Sequence, residues 1–191
     1  MSLNEFVVAF VGIVIGLGVA DLLVSLHKLL RAGKRVKWDL LTPAFAAMML
    51  LATIVFWWWA FEWYRDGQTL TIAQFLPRFA FLCFSFLMMA AALPDEVPEQ
   101  GIVLSEFYAA SRIHRWSLVA ASLLLSTADI WIDEWRRSGS PWQMAVCLPL
   151  VSFALAVAAA CIGRKWVQWL AIGWIFAVTI WFNLNAPIGG G

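Results

Sequence analysis

The sequence predicts an all-α, polytopic membrane protein: a bundle of six transmembrane helices in one domain spanning residues 1–191. Three observations predict it. Hydrophobic residues make up 63% of the chain and charged residues 13%. The few charges cluster between six apolar runs, each near the roughly 20 residues a helix needs to cross the hydrocarbon core. The tryptophans, 13 in all, fall almost entirely at the ends of those runs, at the depth where an apolar ring with a polar N–H is most stable.

The runs place spans at about 5–30, 38–63, 72–93, 105–135, 141–163 and 165–185. Ser2-Leu3-Asn4-Glu5 has the spacing of a capping box, so the first helix is expected to start at the N-terminus. No basic residue precedes that run and no small-residue cleavage site follows it, so a removed signal peptide is not expected. Within it, Gly12, Gly16 and Ala20 form a small-residue ridge suited to close helix packing. Asp21 stands inside the same span, with Ser25 one turn on and Lys28 two turns on. A carboxylate at membrane depth is costly and marks a functional site by default. It either carries protons or pairs with Lys28, Arg112 or Arg115.

The second span ends in Trp57, Trp58, Trp59 and Trp63. The third carries Arg78 on one face with Gln74, Ser85 and Ala92, about six residues inside its outer end. Asp129 of the fourth span lies at the same expected depth. Arg78 and Asp129 are therefore read as a gate or a clasp, an arginine–carboxylate pair able to bond bidentately.

The fourth span is long. Its first part, Ser105 to Arg115, reads as a polar segment that enters the bilayer at Trp116. At 100° per residue, Tyr108, Ser111, Arg115, Ser122, Ser126, Asp129 and Asp133 share a stripe about 60° wide. An ionised side chain facing lipid costs at least about 2.5–3.5 kcal/mol at the bilayer centre. The stripe is therefore expected to face protein or water. It is the wall of a polar path, or else a buried face whose serines bond to their own helix.

The fifth span carries Ala145, Pro149, Ser152, Ala156 and Gly163 as a second packing ridge, and the sixth places Gln168, Thr179 and Asn183 on one side. Basic residues set the expected orientation. Lys28, Arg31, Lys34, Arg35, Lys37, Arg112, Arg115, Arg164 and Lys165 fall at connections one, three and five; Arg65, Arg78, Arg136 and Arg137 fall on the other side. Alternating helices then put connections one, three and five in the cytoplasm and both termini outside. Short connections and the lack of Asn-x-Ser/Thr acceptors fit a bacterial inner membrane.

A net charge of +1 gives no basic surface for nucleic acid. Cys83, Cys147 and Cys161 lie singly in apolar runs, without metal-ligand or disulfide spacing. His27 and His114 have comparable depth, as two axial haem ligands would, but neither lies on the polar stripe. No cofactor is expected. Gly16-Leu17-Gly18 sits inside a span and is no nucleotide fingerprint. The function these features suggest is a small transporter or channel for protons, cations or a small polar solute. Its path would run along Asp21, Ser25, Arg115, Ser122, Ser126, Asp129 and Asp133. The alternative is a non-catalytic scaffold or accessory subunit that binds partner membrane subunits or a second copy of itself. An enzyme acting on lipid through Asp21, Asp129 or the acidic stretch Asp95, Glu96, Glu99 is a third reading.

Overall fold

Six long helices account for nearly all of the chain in a computed structural model that describes residues 3–65, 72–138 and 144–183. They are α1 (Leu3–Ala32), α2 (Leu41–Arg65), α3 (Ile72–Ala90), α4 (Leu104–Ser138), α5 (Met144–Cys161) and α6 (Lys165–Asn183). Each overlaps one expected span to within a few residues. Two short strands, β1 (Val36–Lys37) and β2 (Ile102–Val103), lie in the connections before α2 and before α4. The chain is all-helical, and among the described residues three helical segments are long and apolar enough to cross a membrane: Glu5–Arg35, Leu41–Ala60 and Lys165–Asn183. Phe75–Ala90 and Cys147–Cys161 are apolar but shorter. The polar stripe of α4 keeps it out of that class. At 35 residues α4 is about 52 Å long, well beyond a hydrocarbon core of about 30 Å.

Local chemistry sets the helix boundaries. Asp39 accepts a hydrogen bond from the Leu41 backbone N–H at 2.9 Å and so caps α2. Pro43 follows within the first turn, where a missing N–H costs nothing. Pro77 and Pro149 lie inside α3 and α5.

Helix faces divide by what they touch. On α1, Val7, Val11, Ile15, Gly18, Leu22, Ser25 and Leu29 are buried at spacings of three or four, the seam of a helix packed along its length. Its opposite side exposes Phe6, Ile13, Leu17, Leu23 and Leu30. Ile54, Leu87, Leu124, Val157 and Leu170 are likewise exposed on the other helices. A water-soluble bundle would carry polar residues there; apolar outer faces suit lipid.

The larger core joins Leu29, Phe45, Met48, Met89, Trp116 and Ile172 with their neighbours, and a smaller one gathers Val7, Val11, Ile15, Phe56, Ala60 and Leu82. Helix α4 packs chiefly on α5, and α1 on α3 and α2. Helices α1 and α3 approach closely at Gly18, where a Cβ would collide with the Met89 side chain and meet Phe86 at 3.3 Å. The expected ridge of Gly12, Gly16 and Ala20 does not make this contact. Gly16 and Ala20 are exposed, with nothing within 4 Å of a Cβ built on Gly16. The bulky seam and Gly18 face inward and leave those small residues outside. Of the second ridge, Ser152 and Ala156 are buried, Pro149 is half-buried and Gly163 is exposed, while the side chain of Ala145 lies outside the described residues.

Connections one, three and five meet at one end of the bundle. Strand β1 pairs in parallel with β2, Val36 opposite Ile102 and Lys37 opposite Val103. Lys165 Nζ lies 2.8 Å from Asp39 Oδ2, and Lys28 Nζ donates to the Asp95 carbonyl at 2.9 Å. Gly101 turns the chain into β2 with φ +91°, and its α-carbon sits against the Arg35 carbonyl where a side chain has no room. At the opposite end, Trp59 Nε1 donates to Asn183 Oδ1 at 2.8 Å and ties α2 to α6. The nine basic residues assigned to one side by sequence thus belong to the end at which these three connections join.

Candidate polar seam and inner-end arginine site

The polar stripe of α4 turns into the bundle. Tyr108, Arg115 and Ser122 are buried, and Ser111, Ser126 and Asp129 are half-buried. The side chain of Asp133 lies outside the described residues. The serines satisfy themselves locally. Ser122 Oγ donates to the Val119 carbonyl at 2.8 Å, with Met88 Sδ at 3.6 Å. Ser126 Oγ donates to the Leu123 carbonyl at 3.0 Å and Ser111 Oγ to the Phe107 carbonyl at 2.6 Å. Thr127, one position off the stripe, also bonds the Leu123 carbonyl. Such back-bonding lets a hydroxyl sit in an apolar setting without a partner on another helix.

The acids differ. Asp129 and Asp21 are half-buried, and neither makes a side-chain hydrogen bond or ion pair among the described residues. Ser25 is buried one turn from Asp21. Of the three cations offered to Asp21 by sequence, Lys28 is engaged at the Asp95 carbonyl and Arg115 at Ser111, and Arg112 extends over Gly163. Arg78 lines a small cavity with Phe10, Val11, Phe56, Phe75 and Phe79, among α1, α2 and α3. Among the described contacts, none joins it to Asp129.

The densest polar chemistry lies at the joined end, where α4, α5 and α6 meet. Trp116 Nε1 donates to the Tyr108 hydroxyl at 3.0 Å, and that hydroxyl donates to Gln168 Oε1 at 3.1 Å. Gln168 Nε2 donates to the Ala159 and Ile162 carbonyls at 2.8 and 2.9 Å. The last carbonyls of a helix have no partners of their own, so Gln168 of α6 caps the C-terminal end of α5. Every donor and acceptor in this chain of side chains is used, which fixes three helices against each other. Sequence reading placed Trp116 at a membrane interface; it is fully buried, because its N–H finds Tyr108 two turns back. Other tryptophans at helix ends, Trp38, Trp57, Trp59, Trp131, Trp166 and Trp181, are exposed.

Arg115 sits beside this network, 1% exposed. Its Nε donates to Ser111 Oγ at 2.8 Å, its Nη2 to the same oxygen and, at 3.4 Å, to the Phe107 carbonyl. Three rings surround the guanidinium, with Cζ 4.6 Å from the Tyr108 centroid, 4.7 Å from Phe107 and 5.5 Å from Phe45. These faces stabilise the cation, but Nη1 is buried with no hydrogen-bond partner. One turn earlier, Arg112 extends over Gly163 at the α5–α6 turn, in space that a Cβ would occupy. Its Nε is also buried without a hydrogen-bond partner. Among the described residues, no carboxylate pairs with either arginine.

Just beyond, Lys165 and the Leu41 N–H hold the Asp39 carboxyl below its usual range, the lysine contributing most and burial opposing. The described residues hold no cluster of three or more histidines, cysteines or acids suited to a metal ion, and the three cysteines are free and exposed. Comparison with family models, curated proteins and solved structures finds no match to this chain.

Proposed function

We propose that the chain is a six-span membrane protein that moves protons, cations or a small polar solute along the inward face of α4. In this reading the joined, basic end is cytoplasmic, both termini lie outside, and the membrane is a bacterial inner membrane. The path runs past Asp21 and Ser25 on α1 and Arg115, Ser122, Ser126, Asp129 and Asp133 on α4, with Arg78 and Asp129 flanking its outer half. One observation supports it above the rest: the α4 stripe faces inward and its acid Asp129, like Asp21, is half-buried without a cation partner among the described residues. A carboxylate kept at depth without a partner is available to a passing proton or cation.

The scaffold reading has its own support. The serines of the stripe are bonded to α4 itself, and Gly16 and Ala20 offer an uncovered close-packing face. Flux separates the two. Proteoliposomes are expected to pass protons or a monovalent cation, with Asp129→Asn and Asp21→Asn each slowing flux about tenfold or more while the protein stays folded. Flux unchanged in both variants, or none across an ion and proton panel, would sink the transport reading. Co-purification of a stoichiometric partner from mild detergent would then favour the scaffold.

A further inference from the structure

We infer that Arg112 and Arg115, at the joined end of the bundle, form a binding site for a phosphate-class oxyanion. The inference does not depend on whether the chain conducts. A guanidinium carries five N–H donors in a planar fork and cannot shed its charge. A buried one is normally matched by a carboxylate and by acceptors for its remaining N–H groups. Arg115 is 1% exposed, yet its acceptors are one hydroxyl and one carbonyl, both neutral, and Nη1 has none. Arg112, three residues earlier and on the same end of α4, adds a second buried nitrogen without an acceptor. Two guanidinium forks one turn apart on α4, each with a spare buried donor and no carboxylate partner among the described residues, fit an oxygen-rich anion at this end of the bundle.

The surroundings favour occupancy. Phe45 and Tyr108 are buried, and Tyr108 is locked through Trp116 and Gln168. Phe107, the third ring over the guanidinium, is half-buried, as are Ser111 and Arg112. Entry from this rim requires the Phe107 ring to swing aside, which breaks no side-chain hydrogen bond but gives up its face over the guanidinium. Gly163 leaves the space in which Arg112 lies. The same chemistry serves a free phosphate or the phosphodiester of an anionic lipid at the membrane face.

The test uses the full chain. Inorganic phosphate is titrated into protein in a neutral detergent, against chloride at equal ionic strength. Nanodiscs of phosphatidylcholine with and without phosphatidylglycerol are compared by native mass spectrometry. Saturable phosphate binding that Arg112→Gln weakens about tenfold or more supports the site with a soluble oxyanion. Retention of phosphatidylglycerol alone, lost in Arg112→Gln, supports it with a lipid headgroup. Arg115→Gln should behave as Arg112→Gln where it folds. Arg164→Gln removes one exposed charge from the same end and should leave binding intact. Equal loss in Arg164→Gln, or no binding in either arm, overturns the inference.

Discussion

Replacing Gly101 with alanine should loosen the end of the bundle at which the three connections meet, and the size of the effect follows from two separable costs. The first is backbone strain. A residue with a Cβ at positive φ costs about 1–2 kcal/mol, part of which is returned because alanine narrows the unfolded ensemble. The second is collision. At φ +91° a Cβ on Gly101 would overlap the Arg35 carbonyl oxygen and lie 3.3 Å from its carbon. Those are backbone atoms and cannot rotate away. Relief requires β2 to move off β1, with ladder hydrogen bonds lost at about 0.5–1.5 kcal/mol each. A total of about 2–5 kcal/mol results. Gly33 supplies the control, because it too has positive φ, +56°, but open space where its Cβ would stand. Gly33→Ala should therefore cost only about 1 kcal/mol. The assay is denaturant unfolding in detergent micelles, joined to amide exchange at residues 36, 37, 102 and 103. Exchange at the amides that bridge β1 and β2 is expected to be faster in Gly101→Ala than in Gly33→Ala. Equal costs in the two variants would mean that the contact with Arg35 contributes nothing.

Other outcomes follow from the same contacts. Gln168→Leu strips the Tyr108 hydroxyl of its acceptor and the Ala159 and Ile162 carbonyls of their donor, a loss of about 3–5 kcal/mol readable as a lower unfolding midpoint. Gly18→Leu should cost about 1–3 kcal/mol by forcing α1 from Met89 and Phe86. Gly16→Leu, on the open side of the same helix, should fall within about 0.5 kcal/mol of the parent. The Asp39 carboxyl is held low in the folded protein. Its contribution is therefore complete above the unfolded value near 3.9 and fades as pH falls through the folded one. Asp39→Asn should flatten that acid limb, by about 1 kcal/mol or less because Lys165 is largely exposed. Added salt should shrink the difference; a salt-independent limb would assign it to the cap on Leu41 instead.

How far the sequence could be read depended on the range of the forces involved. Helix positions follow from local hydropathy, and every helix overlaps its expected span. The inward turn of the α4 stripe was expected from the cost a polar side chain would meet in lipid, and Tyr108, Arg115 and Ser122 are buried. Contacts between distant segments were not legible. Nothing in a sixth-span glutamine announces that its amide reaches two carbonyls at the end of α5. The α1 ridge illustrates the ambiguity of small residues: Gly12, Gly16 and Ala20 have the spacing of a close-packing face, but a bulky seam a third of a turn away buries more apolar area and wins. Trp116 had a signal that could have been used, since Tyr108 lies eight residues back on the same side of the helix. The two-residue strands carry too little pattern to be seen, and their pairing depends on a turn at Gly101 that only the folded chain defines.

The pairing of Val36 with Ile102 also bears on how the molecule is made. It joins positions 66 residues apart, the difference between 102 and 36. A nascent chain released in order from its N-terminus has α1, α2 and α3 in hand before this fastening can close, and the closure entropy of so long an intervening segment must be met by helix packing already in place. Chains truncated before residue 102 should insert but stay protease-sensitive at 33–40, whereas chains extended through α4 should acquire protection there in a single step.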